Sequence, residues 1–213
     1  MSKAIYEEAR RLLVAELRAT GRYSDAVLAA IEQVPRHLFV PEHLRSRAYA
    51  NQPLSIGHGQ TISQPAIVAE MTDLLELDAP GHVLDVGGGC GYQAAVLAEL
   101  GHRVTSIEIV PALAEAARAR LAKLGYGAIS VWCADGWNGR PEEAPFDGIL
   151  IAACAPMAPL HLISQLRQGG RIVAPVLERA FDAERLWSFE RVGDGHVARP
   201  HGWVRFVPMT GMG

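Results

Sequence analysis

The sequence predicts an α/β fold, with a central, mostly parallel sheet, helices on both faces and antiparallel strands at the C-terminal edge. Three observations carry this. Short apolar runs at 82–86, 104–109, 130–134, 146–153 and 171–176 are each bounded by glycine or proline clusters. Helical periodicities at 92–100, 111–124 and 159–166 lie between them, and the last two runs, 186–191 and 203–208, follow one another without a helix. Strands that are apolar throughout and alternate with helices are those of a parallel sheet covered on both sides, whereas two strands in direct succession pair antiparallel.

The elements before the sheet follow from the same rules. Ile5, Ala9, Leu12, Leu13 and Leu17 form one apolar stripe on a helix over 4–19. Ser24 is placed to cap a second helix over 25–34, which Pro35 ends. Residues 35–64 read as mostly irregular. From Gln64, the spacing of Ile67, Val68, Met71, Leu74 and Leu75 predicts a third helix. The 213 residues, 49% hydrophobic and 20% charged, suit a single domain over 1–213. Within it, 1–55 is a substrate-facing helical and irregular part, 56–176 a cofactor-binding core and 177–213 the edge strands.

Composition narrows the function. A net charge of -3 offers no basic footprint for nucleic acid or an anionic membrane. The N-terminus is acidic where a secretory signal would be apolar, and the longest apolar run, 149–160, contains two prolines. Three cysteines, Cys90, Cys133 and Cys154, show no paired spacing and read as reduced thiols of a cytoplasmic protein. Eight histidines are scattered without metal-ligand spacing, so no metal is expected.

The run from Val83 to Tyr92 is a strand entering a Gly87-Gly88-Gly89-Cys90-Gly91 turn and then a helix, a backbone that lets a ligand approach closely. Gly89-x-Gly91-x-x-Ala94 also fits a dinucleotide fingerprint, so NAD remains an alternative. Asp85 before the turn favours a cation over a pyrophosphate, which suits the ammonium and sulfonium charges of S-adenosylmethionine. Glu108 ends the next strand, with Ile109 after it, where an acidic residue grips ribose hydroxyls. Asp135-Gly136 ends the third, where a carboxylate can accept from an adenine amino group and glycine leaves room for the ring. Three such strand ends describe a pocket.

The segment Ile56-Gly57-His58-Gly59-Gln60-Thr61-Ile62-Ser63-Gln64-Pro65 closely resembles the signature of the protein-L-isoaspartate O-methyltransferase family. The resemblance continues through the run from Val34 to Pro41, the glycine loop with the run from Gly91 to Ala98, Ala144-Pro145-Phe146-Asp147, Gly169-Gly170-Arg171 and the run from Val204 to Pro208. It implies a class I, Rossmann-like methyltransferase that moves a methyl group from S-adenosylmethionine to the α-carboxylate of L-isoaspartyl residues in damaged proteins, leaving S-adenosylhomocysteine. The ester then closes to a succinimide that reopens partly to aspartate. It also implies that Ser63 is the active-site residue, that Thr61 and Ile62 lie against the cofactor, and that Asp85, Gly87, Gly89, Glu108, Ile109, Asp135 and Gly136 line its pocket. Asn51, Ile56 and His58 are candidates for contacting the substrate, and a monomer is expected.

Four places depart from the family pattern: Asn51 where an acidic residue is usual, Ser55 for proline, Leu177 for glycine, and the composition of the Gly87-Gly88-Gly89-Cys90 loop. Asn51 keeps the shape of aspartate without its charge and bears on substrate choice more than on cofactor binding. Two alternatives stay open beside repair: a carboxyl methyltransferase serving one dedicated peptide aspartate, and a cofactor-binding homologue impaired in catalysis.

Overall fold

The computed structural model describes residues 2–77 and 80–211. Three helices lead, α1 (Lys3–Ala19), α2 (Asp25–Gln33) and α3 (Pro65–Asp73), with a hairpin of β1 (Leu54–Gly57) and β2 (Gln60–Ile62) before the third. The core follows as β3 (His82–Val86), α4 (Tyr92–Glu99), β4 (Arg103–Glu108), α5 (Pro111–Lys123), β5 (Ser130–Cys133), β6 (Phe146–Ile151), β7 (Leu166–Glu178), β8 (Ala183–Val192) and β9 (Gly195–Val204). The main sheet has seven strands in the order β5-β4-β3-β6-β7-β8-β9. The first five run parallel, and β8 and β9 join antiparallel at the edge, as the sequence predicts.

Strand alternation divides the interior into two layers. Val83, Val104, Leu150, Val173 and Leu186 face the layer that receives α1 to α5. Leu84, Val86, Ile107, Ile149, Ile151, Ile172 and Phe189 face the other, which is closed by the 3-10 turn Leu160–Gln165 and its flanking loops. Helical segments therefore cover both faces, but unequally. Ser24 caps α2 by accepting from the Val27 amide at 3.2 Å, and its hydroxyl donates to Asp73 at 2.6 Å, which fastens α2 to the end of α3.

Four elements differ from the sequence reading. The stretch 35–64 holds the β1–β2 hairpin and two 3-10 turns, Arg36–Leu38 and Glu42–Arg47. The expected helix at 159–166 is the 3-10 turn, too short for an α-helical core face. The strand expected at 171–176 extends to Leu166–Glu178, because Gly169 takes φ +77° and a Cβ on Gly170 would lie 2.9 Å from the Asp147 carbonyl oxygen. Glycines that read as a break are what let the strand pass. The strand expected at 203–208 ends at Val204, since β9 is a largely exposed edge strand with little apolar alternation to read. No described helix is long and apolar enough to cross a membrane.

An aromatic stack ties α1 to the first 3-10 turn. Tyr6 lies on the His37 ring at 4.0 Å, and His37 Nδ1 is 2.7 Å from the Tyr49 hydroxyl. Burial, with Arg10 and Arg45 nearby, lowers the His37 pKa from 6.5 to about 4. The fold thus favours neutral His37, so its contribution is complete above pH 6.5 and is lost progressively as pH falls toward 4. In denaturant titrations, the stability advantage of the wild type over His37→Phe is expected to shrink across that interval. An advantage that stays constant would refute this linkage.

Candidate active site

The order of connections reverses at β3, since β4 and β5 lie on one side of it and β6 and β7 on the other. Such a reversal opens a crevice at the carboxyl ends of the strands. Here the chain turns through Gly87 and Gly89, both at positive φ, before α4 begins at Tyr92. Gly88 lets the Ser106 hydroxyl come close: a Cβ there would lie 2.1 Å from Ser106 Oγ, so a side chain would make that hydroxyl turn away. That hydroxyl donates to Asp85 Oδ2 at 2.9 Å.

Asp85 is fully buried. Burial raises its pKa to about 7, opposed by the Ser106 hydrogen bond and assisted by Glu108, and its Oδ1 has no hydrogen-bond partner among the described residues. It lines none of the clefts at the site; it lies beneath the loop rather than facing a ligand directly.

Glu108, at the end of β4, acts as a clamp. Its Oε2 accepts from the Gly89 amide at 2.7 Å and its Oε1 from the Val110 amide at 2.8 Å, so one carboxylate holds the glycine loop to the neighbouring strand. Asp135 follows β5 and accepts from the Trp137 amide at 2.9 Å. A Cβ on Gly136 would lie 2.5 Å from Val86 Cγ1, so glycine keeps the two strand ends in contact. A first cleft forms among Thr61, Gly87, Gly89, Glu108, Ile109 and Gly136, closed by Ala152, Ala153 and the C-terminal run 207–210. It carries an acid and no lysine or arginine. That chemistry fits a ribose and a cationic group and does not fit a pyrophosphate.

Ser63 sits at the end of the hairpin, whose turn is His58-Gly59 with φ of +54° and +73°, the pattern of a type I′ turn. His58 is therefore an exposed tip and lines none of the clefts, while Ile56 packs toward Gly89 and couples hairpin to loop. Ser63 does not cap α3. Its hydroxyl makes no hydrogen bond among the described residues, and the amide at the second helical position, Ala66, is met by Asn51 Oδ1 at 3.0 Å. The Ser63 carbonyl accepts from Arg36 at 2.7 Å. Ser63 borders both a second cleft, with Thr61, Ile62, Gly87, Gly89 and Gln93, and a third, with Gln64, Trp203, Arg205 and Phe206. Thr61 and Ala152 border all three clefts, which meet there.

The structure thus brings together Thr61, Ile62, Ser63, Gly87, Gly89, Glu108, Ile109 and Gly136. It sets Asp85 behind the loop, the exposed Asn51 at the start of α3 and His58 at the tip. Sequence reasoning missed Ala152 and Ala153, small residues at the end of the fourth parallel strand, and the run 207–210, which returns to the site because Cys154 and Val207 are joined by a backbone bond at 2.8 Å. The apolar run after β6 was the available signal for the first; the second has none of its own.

The sequence model of the protein-L-isoaspartate(D-aspartate) O-methyltransferase family matches residues 8–213. The chain belongs to this family. Relatives named protein-L-isoaspartate O-methyltransferase include one from Methanopyrus kandleri, 48% identical over 97% of this chain and 93% of its own, and a second form from a Polaromonas species, 51% identical over 93% and 96%. A solved structure of a protein-L-isoaspartate O-methyltransferase superposes with a TM-score of 0.86 at 28% identity, covering 95% of this chain and 66% of that one. A Plasmodium falciparum structure titled as a complex with S-adenosyl-L-homocysteine shares the fold, with a TM-score of 0.82 at 23% identity over 94% and 98%. The chain is an S-adenosylmethionine-dependent O-methyltransferase.

The contact made by Asn51 is testable by unfolding. Asn51→Ala is expected to cost about 1 kcal/mol by orphaning the Ala66 amide. Asn51→Asp keeps the acceptor and adds a negative charge at the helix start, a gain of about 0.5 kcal/mol. Unchanged stability in the alanine variant would remove Asn51 from this role.

Proposed function

We propose that this enzyme methylates the α-carboxylate of L-isoaspartyl residues in proteins and peptides, with Ser63 orienting that carboxylate. The observation that carries the reading is Ser63, whose hydroxyl has no hydrogen-bond partner among the described residues, at the border of the cofactor-side second cleft and the third cleft. S-adenosylmethionine supplies an electrophilic methyl group on a sulfonium centre. Glu108 and Gly136 would hold its adenosine, each Glu108 oxygen keeping a lone pair for a ribose hydroxyl, and Asp135 would accept from the adenine. Gly87 and Gly89 expose backbone to its amino-acid end.

The acceptor needs no deprotonation, because an α-carboxyl with a pKa near 3.5 is ionised at neutral pH. Ser63 donates one hydrogen bond to a carboxylate oxygen and aims the other oxygen at the methyl carbon. Alignment of this kind is worth several powers of ten in rate. The third cleft supports the substrate assignment: Arg205 offers a cation for an anionic peptide, and Trp203, about half exposed, offers an apolar wall. A net charge of -3 supports a peptide acceptor over nucleic acid, and the three free cysteines support a cytoplasmic site of action. We take the enzyme to act as a monomeric, single-domain protein.

Labelled methyl transfer to matched isoaspartyl and aspartyl peptides tests this. Transfer to the isoaspartyl peptide alone is expected, falling about tenfold or more in Ser63→Ala with S-adenosylhomocysteine affinity within about twofold. Equal transfer to both peptides would redirect the substrate assignment, and an unaffected Ser63→Ala would take the serine out of the mechanism.

A further inference from the structure

Arg36 is fully buried, yet among the described residues no carboxylate pairs with it. Burial of a guanidinium without a counter-charge is costly, and two of its three nitrogens donate while Nη1 has no partner among the described residues. Arg36 Nε donates to the Ala48 carbonyl at 2.9 Å and Nη2 to the Ser63 carbonyl at 2.7 Å. Its carbon lies 4.9 Å from the centroid of the buried Tyr92 ring, which opens α4 directly after the glycine loop. Burial raises the Tyr92 pKa to about 12, so the phenol is neutral and supplies no counter-charge. Phe39 packs edge-on against Tyr92 at 5.4 Å, and Arg120 lies over Phe39 at 5.9 Å while donating to the Cys90 carbonyl at 2.9 Å. One buried pile thus touches the backbone on both sides of the site.

We infer that Arg36 is a positioning residue that sets the Ser63 hydroxyl through its own backbone, by clamping the Ser63 carbonyl against the Tyr92 end of the cofactor loop. The clamp is directional. A charge-assisted bond to the Ser63 carbonyl fixes the peptide plane between Ser63 and Gln64, and the Asn51 bond to Ala66 holds the chain three residues later. With both neighbours satisfied by other groups, the Ser63 side chain is released from capping. Arg36 itself lines none of the three clefts and reaches them through the Ser63 carbonyl and the Tyr92 ring; the hydrogen bond to Ser63 is the route by which it sets the hydroxyl, and cofactor affinity reports the Tyr92 route.

The inference rests on the proposed role of Ser63, and a double-mutant cycle separates the two. Arg36→Met, Arg36→Lys, Ser63→Ala and the two doubles are assayed for kcat and KM with an isoaspartyl peptide, for S-adenosylhomocysteine affinity and for thermal unfolding. Arg36→Met is expected to lower kcat about tenfold with cofactor affinity within about twofold, and Arg36→Lys to recover part of the loss. In the Ser63→Ala background the same change is expected to cost less than about twofold, because there is no hydroxyl left to misplace. Losses that simply multiply, or a matching loss of cofactor affinity, would overturn the inference and leave the Ser63 role intact. An unaffected Ser63→Ala would overturn both. If Arg36→Met does not fold, the lysine cycle carries the same comparison, since lysine keeps the charge but cannot span the Ala48 and Ser63 carbonyls with two fixed donors.

Discussion

The site depends first on the reversal of strand order at β3. A parallel strand between parallel neighbours has every backbone group paired along its length, and only its carboxyl end is released to turn. Because β4 and β6 leave β3 in opposite directions, no crossover covers that end, and a concavity is unavoidable. What varies between proteins of this class is how the released ends are held. Here β3 ends in glycines, β4 in a glutamate, β5 in Asp-Gly and β6 in two alanines, so three ends give room and one supplies the restraint.

That division explains the two carboxylates. Glu108 faces the cleft and spends an acceptor on each of two amides, bonds of the charge-assisted kind worth roughly 1.5–3 kcal/mol each. Asp85 faces the helical layer, where burial and Glu108 push its pKa up to about 7 and only Ser106 supports its charge. Near neutrality Asp85 is therefore readily protonated, which relieves its repulsion with Glu108. Asp85 shapes the loop through Ser106 and Gly88, and any field it exerts on a bound cation acts through the glycine backbone.

Much of this was legible in the sequence, and the limits are physical. Four of the five parallel strands were read to within two residues, β3 and β6 because burial on both faces makes them largely apolar, whereas β7 begins five residues before the expected start because Gly169-Gly170 reads as its boundary. The glycine loop, Glu108 and Gly136 were legible because strand ends at a crevice demand residues of unusual size or charge. Asn51 and Arg36 were not understood, since their partners lie 15 and 27 residues away and are backbone atoms, which leave no trace in side-chain identity. His58, a candidate substrate contact, occupies a hairpin turn position that takes positive φ, a local backbone role that a glycine-flanked histidine does not announce. The edge strand β9 was displaced because its exposed residues obey no burial pattern.

A substrate that arrives ionised changes what an active site must contain. With no proton to remove, the enzyme needs neither a histidine of matched pKa nor a metal, and the difference between a good and a poor catalyst becomes the precision with which one hydroxyl and two backbone segments are held. Precision comes from satisfied backbone groups. The carbonyl of Ser63, the amide of Ala66, the amide of Gly89 and the carbonyl of Cys90 are each bound by a side chain from another element. Several of the side chains that surround this chemistry are thereby engaged in holding main chain, which leaves Ser63, at the border of two clefts, with its hydroxyl uncommitted among the described residues.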